Sequence, residues 1–173
     1  MEKLKKDTAE KKLVLRVSFL YGLYKQSLFI FVIIILIFLS EIIIKHNHLL
    51  NEKIENIIIN TLYIFSGFLI IRIIYGLIYF KLIKYELFRD RLVVKEGVFT
   101  NRLNFLELYR VKDYAVYQSF FMKFFSMMNI QLITSDKTTP ILNIKGIPKS
   151  EVFNLIREYV EEQRRIKGVR EFD

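Results

Sequence analysis

Two long apolar stretches in the first half of the chain limit its fold more than any other feature. The first is LFIFVIIILIFLSEIII, residues 28–44, and the second is IIINTLYIFSGFLIIRIIYGLIYF, residues 57–80. About 20 apolar residues cover the hydrocarbon core of a bilayer, and an apolar surface on every face of a helix is unusual in a soluble domain. The pattern predicts a two-span transmembrane hairpin over residues 27–80. A cleaved signal peptide is disfavoured, because a second span follows the first.

Lysines and arginines around the two stretches predict the orientation of the hairpin. Seven basic residues precede the first stretch: Lys3, Lys5, Lys6, Lys11, Lys12, Arg16 and Lys25. The short loop between the stretches holds two lysines that two glutamates balance, and basic residues return directly after residue 80. By the positive-inside rule, both termini and the following domain are cytoplasmic. Residues 1–26 are then a basic cytoplasmic or interfacial segment.

Two charged residues lie within the apolar stretches, Glu41 near the outer end of the first and Arg72 well along the second. Their positions place them at different depths, so we expect no direct pair between them. We expect Arg72 to snorkel towards the inner headgroups. Association of hairpins through Ser66 and Gly67 is the alternative use of the polar positions.

Composition excludes several kinds of chemistry. The chain has no cysteine, which removes disulfides, thiolate catalysis and cysteine-ligated metal sites. Its two histidines, His46 and His48, form an isolated H-x-H pair in the loop, which is weak support for a metal site. No P-loop, nucleophile elbow or paired-carboxylate arrangement is found. We expect no enzymatic activity, no cofactor and no metal.

The net charge of +9 does not predict a nucleic-acid-binding protein. Seven basic and three acidic residues in the first 26 positions are accounted for by membrane topology. From Lys81 onward, basic residues are interspersed with acidic ones and form no stripe. Membrane lipids and protein partners, including a second copy of the chain, are the expected contacts.

The chain from Lys81 to Asp173 has the pattern of a small antiparallel β domain. Turn signals at Arg89-Asp90, Glu96-Gly97 and Asp136-Lys137 separate short runs rich in Leu, Val, Ile and Phe. IPKSEVFNLIREYVEEQRRIKG then predicts an amphipathic helix that ends at Gly168 and has one apolar face, formed by Val152, Leu155, Ile156, Tyr159 and Val160. Six or seven strands with this helix over one end predict a β-sandwich or a partly open barrel. The predicted fold class is therefore α+β, a transmembrane hairpin followed by this domain.

The segment FFMKFFSMM, residues 120–128, interrupts the strand pattern. It is interpreted as one helical turn or an irregular apolar knuckle. Its phenylalanines, Phe120, Phe121, Phe124 and Phe125, are core residues by default. Seven large apolar side chains in nine residues nevertheless exceed what one short turn buries, so part of this segment is a candidate patch for a partner or the membrane.

Three segments, YELFRDRLVVKEGVFTN, LELYRVKDYAVYQSFFMKFFSMMNIQLITSD and ILNIKGIP, resemble the membrane-associated bacterial pleckstrin-homology (PH)-like domain family. The resemblance covers about residues 81–169, and the preceding hairpin is also similar to that family's arrangement. It implies a PH-like domain on the cytoplasmic face of a bacterial cell membrane, without established enzymatic activity. Within its most specific block, Arg110, Asp113 and Gln118 are interpreted as structural hydrogen-bonding residues.

Phosphoinositide-binding PH domains use basic residues on a long loop between their first two strands. The corresponding connection here is interpreted as the tight turn Arg89-Asp90-Arg91, which is too short for such a pocket. Basic residues nearby are still candidate contacts for anionic lipid headgroups. They are Lys81, Lys84, Arg89, Arg91, Lys95 and Arg102.

The resulting hypothesis is a membrane-anchored PH-like domain that acts as a non-enzymatic protein-binding or assembly module. Anchoring raises the effective concentration of the domain near other membrane components, so a weak contact can suffice. The alternatives are a sensor of anionic lipid headgroups and an accessory subunit of a transport or envelope-defence system.

Overall fold

The computed structural model describes residues 13–45 and 52–169 of the chain. The chain divides into two compact units. One, here called the β unit, joins the chain up to Tyr21 with the chain from Tyr79 onward, and the other, the helical unit, comprises Gly22–Ile78. The predicted pair of histidines, His46 and His48, lies outside the described residues.

The strands are β1 Leu13–Arg16, β2 Lys84–Leu87, β3 Arg91–Glu96, β4 Arg102–Glu107, β5 Val111–Tyr117, β6 Met127–Thr134 and β7 Ile141–Pro148. The α-helices are α1 Phe19–Lys45, α2 Glu52–Leu82, α3 Phe120–Phe124 and α4 Val152–Lys167. Strands β1 to β4 form one antiparallel sheet in chain order, and β5 to β7 form a second. The order of elements confirms the predicted α+β fold class, with two sheets in place of a continuous barrel.

Strand β1 comes from the N-terminal segment. It pairs antiparallel with β2, so that Leu15 lies opposite Tyr85 and Arg16 opposite Lys84. The structure departs here from the predicted division of the chain, which left residues 1–26 outside the β domain and began that domain at residue 81. The strand is only four residues long, which is too short for its alternation to stand out in the sequence.

In chain order, helices α1 and α2 lie between β1 and β2, two strands that pair with each other. Both are long and apolar enough to cross a membrane. Only 6% of the apolar window of α1 and 11% of that of α2 are buried, whereas a core helix of a soluble protein is buried over most of its surface. Helix α1 begins at Phe19, before the predicted boundary at residue 27.

The predicted turns are found where the sequence places them. Arg89-Asp90 separates β2 from β3, Gly97 follows β3 with a φ of 125°, and Asp136-Lys137 separates β6 from β7. The interpretation of the Arg89-Asp90-Arg91 turn as the connection between the first two strands is wrong. Because β1 precedes the hairpin, α1 and α2 are that connection, and the turn joins the second strand to the third.

The core of the β unit lies between the two sheets and α4. Its fully buried side chains include Leu87, Leu92, Leu106, Leu108, Ile130, Leu132, Ile144 and Ile147. Helix α4 buries Val152, Ile156 and Val160 on one face, as predicted, and Gly168 ends it in the left-handed conformation. A Tyr114–Phe153 ring contact joins α4 to β5, and an Arg89–Glu162 ion pair joins it to the turn between β2 and β3.

Candidate functional site

Helix α3 displays most of its aromatic side chains to the surroundings. Ser119 caps its first turn by accepting a hydrogen bond from the backbone nitrogen of Met122, at 3.4 Å. The sulfur-containing side chains Met122, Met127 and Met128 are buried. The exposed fractions of the phenylalanines are 81% for Phe120, 55% for Phe121, 76% for Phe124 and 39% for Phe125. The methionines therefore anchor the segment, and the four phenylalanines form a surface, here called the α3 patch.

The α3 patch is ordered by contacts among its own rings. Phe120 and Phe121 meet edge to face with centroids 6.2 Å apart, and Phe124 and Phe125 do so at 5.0 Å. The exposed side chains of Val116 and Tyr117 on β5 precede the helix in the chain. Large exposed apolar surfaces of this kind are rare on soluble domains and mark interaction sites. The default assignment of these phenylalanines to the core does not hold, since a helix of five residues has only one inward side.

Three of the six predicted lipid-contacting residues are paired within the protein. Arg89 forms two hydrogen bonds with the Glu162 carboxylate, at 2.6 and 2.8 Å. The Lys95 amine lies 2.8 Å from Glu86, and Arg91 lies 3.3 Å from Asp90. The Arg89 hydrogen bonds hold the pKa of the Glu162 carboxyl below its usual value. Acidic side chains of the protein therefore neutralise three of the six cations that were predicted to contact lipid headgroups.

The remaining predicted cations occupy different parts of the β unit. Lys81 lies in the last turn of α2, Lys84 begins β2, and Arg102 begins β4. Lys84 is directly opposite Lys95, whereas Arg102 is opposite Glu96, one position further along β3. Because side chains alternate along a strand, Arg102 lies on the other face of the sheet from Lys84 and Lys95.

Strand β1 adds a cation that sequence reasoning did not assign to this site. Arg16 lies opposite Lys84, and Lys84 lies opposite Lys95, so three basic residues form one row across three strands. Like charges directly opposite each other destabilise a sheet unless an anion or acidic side chain compensates them. In the sequence, Arg16 is one of the basic residues that predict the membrane orientation. Its neighbours Lys84 and Lys95 become apparent only from the pairing of β1.

A groove of about 950 Å³ lies on the outer face of the four-stranded sheet. Its floor is apolar, with Val93, Leu103 and Phe105 from the strands and Ile166 from α4. Charged residues that are already paired, including Glu86 and Arg89, form part of its wall. The groove therefore offers an apolar floor with a largely neutralised rim.

The three residues interpreted as structural make contacts within the fold. The Gln118 amide donates to the backbone oxygen of Met127 at 2.8 Å, and the Asp113 carboxylate accepts from the backbone nitrogen of Tyr114 at 2.7 Å. Arg110 lies in a 3-10 turn, Leu108–Arg110, with its guanidinium 2.9 Å from Glu107 and 3.8 Å from Asp136. These contacts lie at the start and end of β5, where they stabilise the fold.

Hydrogen bonds also set the pKa of Asp136 in this region. The backbone and hydroxyl groups of Thr138 donate to the Asp136 carboxylate, and with the Arg110 charge they lower its pKa. Within residues 13–45 and 52–169, no group of three or more histidine, aspartate or glutamate side chains is arranged to hold a metal ion.

Comparison with known proteins identifies a family. A family model described as a bacterial PH domain matches residues 18–163, which is most of the chain. No curated protein and no solved structure matches the chain significantly.

Proposed function

Because the chain belongs to the bacterial PH domain family, we propose that it is a membrane-anchored, non-enzymatic module that binds a protein partner through the α3 patch. Helices α1 and α2 are the anchor, and the β unit lies on the cytoplasmic face of the cell membrane. The observation that carries the proposal is the exposure of four phenylalanines on and directly after a capped helix that Met122 anchors in the core.

The chemistry of the α3 patch favours a protein over a lipid surface. Aromatic side chains are enriched at the centres of protein interfaces, where they supply most of the binding energy. Helices that lie on membranes combine an apolar face with several lysines and arginines. Lys123 is the one basic residue within α3, so the patch has little electrostatic attraction to anionic lipid.

The test is site-specific photocrosslinking of the full-length chain in native membranes. A photoreactive amino acid replaces Phe124 in one protein and Phe99 in another. Phe99 is 91% exposed and lies between β3 and β4, so it is a matched control for an exposed phenylalanine away from the patch. We expect a discrete protein adduct from position 124 and none of that size from position 99. Adducts with lipid alone, or the same adduct at both positions, would contradict the proposal.

A variant pair tests the same surface without a crosslinker. Phe120→Asp and Phe124→Asp place a charge in the patch, and each is expected to weaken partner recovery by at least tenfold, as for interface hot-spot residues (about 1.4 kcal/mol or more). Phe99→Asp is the control and is expected to retain the partner. Equal recovery with all three variants would show that the partner, if bound, uses another surface.

A second candidate function, binding of anionic lipid headgroups, is favoured by the row Arg16, Lys84 and Lys95. Arg16 lies three residues before α1, and Lys84 lies two residues after α2. If the two helices cross a membrane, these cations are close to its surface, where each contributes about 1 kcal/mol. Reconstituting the full chain with and without anionic lipid separates the candidates. A loss of lipid enrichment around the Arg16→Gln, Lys84→Gln double variant, with the α3 adduct unchanged, would support this second role.

A further inference from the structure

We propose that Arg72 binds the phosphate group of a phospholipid in the leaflet next to the β unit, and that Gln26 and Gly76 hold Arg72 in place for this contact. The inference rests on the proposed membrane insertion of α1 and α2, but it does not use the α3 patch.

Gln26 is the buried part of this site. Its side chain is only 6% exposed although it is polar, and its amide oxygen accepts a hydrogen bond from the Arg72 guanidinium at 3.0 Å. Gly76 makes room for it, since a Cβ atom at position 76 would lie 2.0 Å from the Gln26 amide nitrogen. The guanidinium carbon also lies 3.6 Å from the centroid of the Phe29 ring. The arginine is therefore positioned by three residues of the helical unit.

The contact between Gln26 and Gly76 fixes the level of the site along the hairpin. Gln26 lies just before the uninterrupted apolar run that starts at Leu28, so it marks the end of the apolar part of α1. Arg72 is four residues from Gly76, about 6 Å along α2. The guanidinium reaches Gln26, so its charge lies near the border between hydrocarbon and headgroups, as expected of a snorkelling arginine.

The contacts of Arg72 leave its charge uncompensated. Among the described residues its partners are the neutral Gln26 amide and the Phe29 ring, and no carboxylate is paired with it. A cation that faces the apolar interior of a membrane without an anion is energetically costly. Its side chain is exposed on the surface of the helical unit, so an anion from outside the chain can reach it.

A phosphate diester fits this site better than other anions at that depth. The guanidinium presents parallel N–H groups in a planar fork that matches two phosphate oxygens, and Gln26 uses only one of its donors. Phospholipid phosphates lie at the border that the site occupies. A lipid held there would neutralise Arg72 and fix the depth of the hairpin.

The test is native mass spectrometry of the full-length protein released from detergent, with phosphatidylglycerol as the probe. We expect one retained lipid, with at least about tenfold weaker binding in Arg72→Gln, because charge-assisted hydrogen bonds are lost. Gly76→Ala is expected to weaken binding by displacing Gln26. Arg157→Gln removes one positive charge from the exposed surface of α4 and is the control, with unchanged binding expected.

Several results would overturn the inference. Unchanged lipid retention in Arg72→Gln would show that the lipid binds elsewhere, and displacement by millimolar inorganic phosphate would assign the site to the free ion. If the protein is a dimer that dissociates in the Arg72→Gln variant, the anion that pairs with Arg72 comes from a second copy of the chain. Photocrosslinking from position 124 in the Arg72→Gln protein keeps this outcome separate from a failure of the proposed partner surface.

Discussion

Leu15 lies directly opposite Tyr85 in the four-stranded sheet, although both long apolar helices separate the two residues in the chain. The backbone nitrogen of Ser18, just before α1, also donates to the oxygen of Gly146 on β7 at 2.8 Å. The hairpin is thus an insertion in the sequence of the β fold. The chain segments directly before and after the hairpin both belong to the β unit. A β unit made only from residues after the hairpin would lack one edge of its first sheet.

Removing β1 is expected to destabilise the β unit. A fragment of residues 81–169 exposes the edge of β2 and lacks the buried side chains of Leu15 and Val17, so we expect aggregation or partial unfolding. A second protein, in which a short Asn-Gly turn joins Arg16 to Lys84, restores β1 without the helices. Size-exclusion chromatography and circular dichroism compare the two. Equal stability of both proteins would contradict the assignment of β1 to this sheet.

Gly146→Ala is expected to destabilise the protein more than Gly168→Ala. Both glycines have a positive φ, of 58° and 65°, which costs an alanine about 1–2 kcal/mol. At Gly146 a Cβ atom would also lie 2.2 Å from the Tyr21 ring, whereas the space at Gly168 is open. Urea unfolding in detergent, followed by tyrosine fluorescence, measures the difference. Equal losses would mean that Tyr21 does not pack on β7.

Tyr85→Phe is expected to lower the free energy of unfolding by about 1–3 kcal/mol. The buried Tyr85 hydroxyl accepts from the backbone nitrogen of Lys145 at 3.0 Å, next to a register shift between β6 and β7. Without it, that N–H group loses its partner. Tyr117→Phe removes a hydroxyl from an exposed ring and should change stability by less than about 0.5 kcal/mol. Similar effects of both substitutions in urea unfolding would argue against a structural role for the Tyr85 hydroxyl.

The ion pair of Glu162 with Arg89 is expected to make α4 sensitive to acid. The Arg89 hydrogen bonds hold the pKa of Glu162 below its ordinary value of 4.5, so its stabilising contribution is present above pH 4.5 and is lost as pH falls through the lower folded value. Glu162→Gln should therefore be less stable than wild type at neutral pH and equal to it in acid. Glu161→Gln changes an exposed neighbour and is the control. The measurement is the melting temperature of each protein from pH 3 to pH 7. A difference between wild type and Glu162→Gln that does not change with pH would contradict a stabilising role of the ion pair.

The strong periodic signals in the sequence predicted the long elements and the turns between strands. Apolar length identified α1 and α2, and the spacing of Val152, Ile156 and Val160 identified α4 and its buried face. These features depend only on residues close together in the chain, so they can be recognised from a single sequence. The family resemblance on residues 81–169 was confirmed by the bacterial PH domain match.

The missed features depend on contacts between distant residues. Strand β1 gains its identity only from its pairing with β2, and the basic row through Arg16 follows from that pairing. The excess of large apolar side chains in FFMKFFSMM predicted a partly exposed segment, but which of them are exposed follows only from the burial of Met122, Met127 and Met128 in the fold. The pairing of Arg89 with Glu162, 73 residues further along the chain, likewise has no local signal.

Cysteine labelling in membrane vesicles tests the membrane partition most directly, because the natural chain has no cysteine. One protein carries Asn47→Cys in the loop between the apolar stretches, and another carries Lys112→Cys on the exposed surface of β5. We predict that a membrane-impermeant maleimide labels position 47 only from the outside and position 112 only from the cytoplasmic side. Labelling of both positions from the same side of intact vesicles would contradict the account.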